Sequence, residues 1–232
     1  MVELSNPVPI HRKHFEFLSR INHNVQGAVG KNAFTFGSRV QNIEEIPQLL
    51  NHQLSRKDLF RYVNEPNLSN LAVTVAILAW GGMRVDNARR LFNKWDYVNP
   101  IIEKIRSGSI ETRKLAYQLF FCSRAEGHLP GLGVSYYTKL ICFLNHELNA
   151  FILDQWTGKS INLLWHEPFI KFDGNRVNDK NNSDTYEEFC QRIEELAGLL
   201  RVKPLDAEER LFSNGGHKTG IWREYLKDNY EQ

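Results

Sequence analysis

Three clusters of residues have types and spacings that could do chemistry. The first is His128-Leu129-Pro130-Gly131-Leu132-Gly133, two glycines around a leucine directly after a proline. A helical pattern then resumes through Leu140, Ile141, Phe143 and Leu144. Glycines placed this way let another molecule approach the backbone closely. Their N–H groups, beside the start of a helix and its dipole, make an anion site that needs no lysine. Leu132 would anchor the turn in the core. The second cluster is Ser135 and Lys139, one helical turn apart on the same face. The third is Asp154, nineteen positions after Ser135, where the apolar run Ala150–Leu153 gives way to a fresh helix start. A carboxylate there can cap the helix and can also stabilise a developing positive charge.

Helical periods surround these residues. Pro9 to Asn22 carries Phe15, Leu18 and Ile21 at helical spacing. Ser55 and Ser69 stand as caps before "RKDLFRYV" and the almost wholly apolar "NLAVTVAILAW", which stops at Gly81-Gly82. "VDNARRLFNKW" and "NPIIEKIRSG" read as two short helices, and Ser109 as the cap of a helix ending at Gly127. "DTYEEFCQRIEELAGLL" opens with a capping box, Asp184 to Glu187, and carries one apolar stripe. The best strand candidate is Asn32 to Val40, and Asp173 to Asp184 reads as a long polar loop. The fold class expected is all-α.

Composition narrows the classes further. The chain has 232 residues, 42% of them hydrophobic and 24% charged, the profile of a soluble globular protein with a sizeable core. No apolar run approaches the roughly 20 residues of a membrane helix, and the N-terminus lacks a signal core, so a cytoplasmic protein is expected. Cys122, Cys142 and Cys190 have no metal-binding spacing and are expected to be buried free thiols. A net charge of +2 means that any nucleic-acid surface must be local.

Leu129-Pro130-Gly131-Leu132-Gly133, Ser135 and Asp154 together resemble the helix-hairpin-helix DNA glycosylase superfamily, the relatives of endonuclease III, the adenine glycosylase MutY and 8-oxoguanine glycosylase. In that superfamily the hairpin reads L-P-G-h-G, with h apolar. A lysine or its substitute follows two positions later, and an aspartate nineteen positions after that. "ILAWGGM" is similar to the bacterial proteins grouped with the 8-oxoguanine glycosylase fold. The resemblance implies two helical lobes with a cleft between them, residues 69–153 forming the hairpin lobe and residues 1–68 with 154–232 the other. It implies a monomer acting on double-stranded DNA that carries a damaged or modified base, the base being turned out of the duplex into the cleft.

On that reading Asp154 stabilises the positive charge that builds on the sugar as the N-glycosidic bond breaks, and orients or deprotonates water. Ser135 stands where relatives form a Schiff base through lysine, so the resemblance implies a monofunctional enzyme. Lys139 is expected first as a surface phosphate contact; as a displaced nucleophile it would instead make the chain a bifunctional glycosylase/lyase. A DNA-binding module without catalysis is the reading from another class. The superfamily usually has alanine where Tyr137 stands. His128, Gly131, Leu132, Gly133 and Lys159 are expected at the DNA backbone, with Arg176 and Lys180 as further candidates. Phe34, Phe36, Trp80, Tyr136, Tyr137 and Trp222 are candidates to stack on the extruded base. The glycine-rich stretch Ser213 to Trp222 is a candidate DNA-contacting loop. No C-x6-C-x2-C-x5-C cluster follows the hairpin, so no iron–sulfur cluster and no other metal is expected, although the hairpin could hold a monovalent cation. The excised base is left open between oxidised guanine, alkylated bases and hypermodified viral pyrimidines. The role is accordingly left open between repair and defence.

Overall fold

A computed structural model describes residues 9–21, 30–40, 46–213 and 220–230. Among them lie twelve α-helices: α1 (Arg12–Arg20), α2 (Ala33–Val40), α3 (Arg56–Val63), α4 (Asn70–Trp80), α5 (Val85–Phe92), α6 (Trp95–Arg106), α7 (Arg113–Ala125), α8 (Val134–Leu144), α9 (Gln155–Trp165), α10 (Ser183–Leu200), α11 (Pro204–Ser213) and α12 (Ile221–Asn229). The fold is all-α, as its helical periods predict. No helix among the described residues is long and apolar enough to cross a membrane.

Local sequence explains most helix starts. Ser55 accepts from the Asp58 amide and forms a capping box with it, and Ser69 accepts from Ala72. α4 is apolar all round because it is surrounded. It packs on α2, α3, α6 and α8, and every residue from Ala72 to Trp80 is buried. α2 and α3 pack on α4, α5 and α8, whereas α1 packs on α9, and α9 also meets α10, α11 and α12. Arg113 at the start of α7 reaches α10, pairing with Glu187 at 2.8 Å and with Glu194 at 2.5 Å.

Several sequence expectations are corrected. Asn32 to Val40 is helical, not a strand: the Asn32 side chain accepts from the Thr35 amide, and Ala33, Phe36, Gly37 and Val40 form one buried face. The spacing of Phe34 and Phe36 mimics strand alternation only by coincidence. Thr112, not Ser109, caps α7, and Asn182, not Asp184, caps α10. Glu187 therefore makes no capping box and is free to hold Arg113. The polar stretch after Asp173 contains a short antiparallel hairpin, β1 (Phe172–Asp173) with β2 (Arg176–Val177). Cys122 is exposed, while Cys142 and Cys190 are buried free thiols.

Candidate functional site

α7 and α8 are joined through the Leu129–Gly133 turn into a hairpin of two helices. Its two glycines exist for different reasons. Gly131 has φ +81°, and a Cβ there would lie 2.9 Å from the Asn87 carbonyl of α5. It is required both by its backbone angle and by close approach. Gly133 has φ −81°, and a Cβ there would meet nothing within 4 Å. Leu132 is buried, as expected of a plug. Arg124 braces the turn from inside. Its Nη1 donates to the Leu132 carbonyl at 3.0 Å, and its other nitrogens grip Asp179 at 2.6 and 2.8 Å. With that carbonyl held, the N–H groups of Gly131, Gly133, Val134 and Ser135 donate to no acceptor among the described residues. Free amides at the start of an eleven-residue helix have the geometry to receive an anion.

Asp154 is the N-cap of α9. Its Oδ1 accepts from the amides of Trp156 at 2.8 Å and Thr157 at 3.2 Å, and the Thr157 hydroxyl accepts in return from the Asp154 amide at 2.9 Å. The cap therefore occupies one oxygen. The other, Oδ2, lies 4.0 Å from Nζ of Lys139. α8 fixes this spacing through Thr138, whose hydroxyl accepts from the Leu153 amide at 3.2 Å, one residue before Asp154. Both partners are nearly enclosed, Asp154 being 7% and Lys139 5% exposed. The Lys139 amine also donates to the Ser135 carbonyl at 2.9 Å and lies 5.8 Å from the centre of the Tyr136 ring. Burial lowers its pKa from the ordinary lysine value, against the upward pull of Asp154, Glu208 and Cys142. Room for its stem comes from α4: a Cβ on Gly81 would sit 2.8 Å from Lys139 Cδ.

Around this pair lie further charges that sequence reading did not single out. Arg56 of α3 places Nη1 2.5 Å from Oε2 of Glu208 on α11, and Nη2 3.8 Å from the Cys142 sulfur. Glu208 is fully buried. Thr138, Arg124, Arg56 and Glu208 carry no local sequence signal, because each matters only through partners from other segments.

The remaining candidates are distributed unevenly. Tyr136 is half-buried beside the amine, and Trp80 is buried edge-on to Phe143. Tyr137 faces the core, stacked on Phe120 and edge-on to Tyr117, which is how the helix accommodates it where relatives have alanine. Trp222 is also core, its indole N–H donating to Ser160 at 2.8 Å. Phe36 is buried under Lys31, and Phe34 packs partly buried against the same core. His128 stacks on Tyr97 with its Nδ1 3.2 Å from Glu126. Lys159 is buried, donating to Asn175 and lying over the rings of Phe172 and Tyr230. Residues 214–219 of the glycine-rich stretch lie outside the described residues. Arg176 is exposed in β2, and Lys180 is exposed in the turn that follows. Among the described residues no group of three or more His, Cys, Asp or Glu side chains could hold a metal ion.

No curated protein and no solved structure gives a significant match. A family model described as "Putative 8-oxoguanine DNA glycosylase OGG-like protein" matches residues 26–212, a span that includes the hairpin, Lys139, Asp154, Arg56 and Glu208. The chain belongs to this OGG-like DNA glycosylase family.

Proposed function

We propose that the chain is a DNA N-glycosylase in which the hairpin amides hold a backbone phosphate and the Lys139–Asp154 pair performs the chemistry. The observation that carries the reading is the enclosed amine 4.0 Å from a carboxylate whose other oxygen is committed to a helix cap. A carboxylate so fixed stabilises the oxocarbenium-like sugar as the base departs, at no cost of reorganisation. An amine beside it, with its pKa lowered by burial, can attack the anomeric carbon in its neutral form as the bond to the base breaks; the ring C–O bond then opens, its oxygen taking a proton released by the amine, to give the imine that precedes strand cleavage. Ser135, at the lysine position of the superfamily, supports a second reading in which water attacks instead and the product is an intact strand with an abasic site.

The family description makes oxidised guanine the first base to test, and hypermodified pyrimidines of viral DNA the second. Duplexes carrying each are incubated with the protein, and free base is sought by mass spectrometry. Release by the native protein and its loss in Asp154→Asn support the proposal. Release that persists in that variant contradicts it.

A further inference from the structure

The carbonyl oxygens of Leu129 and Leu132 converge, because a single nitrogen reaches both. Nη1 of Arg124 donates to the Leu132 oxygen at 3.0 Å and to the Leu129 oxygen at 3.4 Å. Converging backbone carbonyls are what a monovalent cation needs in place of its water shell. From Leu129 to Ser135 the chain has no charged side chain, so carbonyls are the chief ligands the turn could offer an ion. The resemblance to helix-hairpin-helix enzymes allows such a cation here, but the residues present do not fit one. Both hydrogens of Nη1 are spent on these two oxygens, while Nε and Nη2 hold Asp179 at 2.8 and 2.6 Å. An ion sharing the two oxygens would lie against a guanidinium that stays charged at any ordinary pH, and the two would repel. Arg124 also stands in the last turn of α7, where the helix dipole favours a cation.

We propose that the Arg124 guanidinium takes the place of a monovalent cation in the hairpin, holding the Leu129 and Leu132 carbonyls so that the free amides of the turn stay available to a DNA phosphate. The inference rests on the reading of the hairpin as a phosphate site and deepens it: Arg124 is a positioning residue that acts through the backbone. A dissolved ion exchanges with the medium, so a turn that needs one binds DNA differently in different salts. A guanidinium tethered to α7 and gripped by Asp179 does not exchange. Asp179 also compensates its charge, which leaves the pull on a phosphate to the amide dipoles. Beside the guanidinium lies a hollow of about 350 Å³ whose lining includes Phe121, Arg124, Leu129, Pro130, Tyr137 and Asp179. Truncating the Arg124 side chain would open both carbonyl oxygens to that hollow and to ions from solvent.

The test measures affinity for undamaged duplex DNA by fluorescence anisotropy in potassium, sodium and tetramethylammonium chloride at one ionic strength. The last cation is too large to enter the turn. Native affinity is expected to be the same in all three salts, and an affinity that needs potassium or sodium overturns the proposal. Arg124→Ala is expected to bind about tenfold more weakly in tetramethylammonium, the effect of lost hydrogen bonds from a charged group, and to recover in potassium or sodium. Equal affinity in all three salts, weakened or not, overturns the proposal, because a merely structural arginine would not be replaced by an ion. If that variant does not fold, the NMR resonance of thallium(I), a stand-in for potassium, tests the native turn without DNA. The native protein is expected to leave the resonance unshifted, and a saturable shift that potassium competes away overturns the proposal. Failure of the hairpin reading is seen separately, as native protein that does not bind duplex DNA in any salt; the thallium measurement then still decides whether the turn takes an ion.

Discussion

The hairpin and the buried charge cluster meet along α8 yet are built from opposite materials. From Leu129 to Ser135 the proposed working groups are backbone amides, four of them without an acceptor among the described residues, with no charged side chain among them. In the cluster the working groups are the side-chain charges of Lys139, Asp154, Arg56 and Glu208, enclosed among apolar residues. Backbone dipoles suit a ligand that must be held wherever it occurs along DNA, because a phosphate contact positions without reading sequence. Desolvated charges suit a reaction, because their effect grows as water is excluded. The proposed function puts binding at one end of α8 and chemistry on its flank, and mutations should separate the two.

The largest separation is expected from Asp154→Asn. Asparagine caps helices as well as aspartate does, so α9 should stay folded. Only the charge is lost, and base release should fall roughly a hundred- to ten-thousand-fold while DNA affinity is retained. Release assays beside binding curves check this. The hairpin should respond the other way. In Gly133→Leu the new side chain enters open space, so thermal stability should hold while affinity for damaged and undamaged duplex falls together about tenfold, the effect of a lost charge-assisted hydrogen bond. Gly131→Ala is its control. With φ +81° and Asn87 in the way it should cost about 1–3 kcal/mol of stability, read as a lower melting temperature. If Gly133→Leu loses stability but no affinity, the hairpin is a packing device. The smallest effect is expected from Gly81→Ala, whose methyl group would displace the Lys139 stem. Trapping of an abasic site by borohydride should slow several-fold with affinity unchanged; an unchanged trapping rate would show that the position of the amine is not critical.

How much of this was legible in the sequence follows the same division. The hairpin, Asp154 and the caps Ser55 and Ser69 are local patterns, set by backbone needs within a few residues. The strand expectation for Asn32–Val40 failed because alternation over so few residues also fits a helix, and the Asn32 cap decides the matter. The Arg56–Glu208 pair was invisible because its halves lie on α3 and α11 and only packing joins them. The aromatic candidates show the same limit: Tyr136 lies beside the amine and its neighbour Tyr137 points into the core, a difference of helical phase that residue type does not carry.

The most direct test of the account is the identity of the nucleophile. Native protein is mixed with duplex DNA containing an abasic site, borohydride is added across a range of pH, and the trapped adduct is digested and mapped by mass spectrometry. The account predicts a single adduct on Lys139, absent in Lys139→Ala. It should form faster as pH rises through a midpoint below the ordinary lysine value of 10.5, because burial favours the neutral amine and only that form attacks. An adduct on another lysine, or efficient release of base with no adduct at any pH, would contradict it.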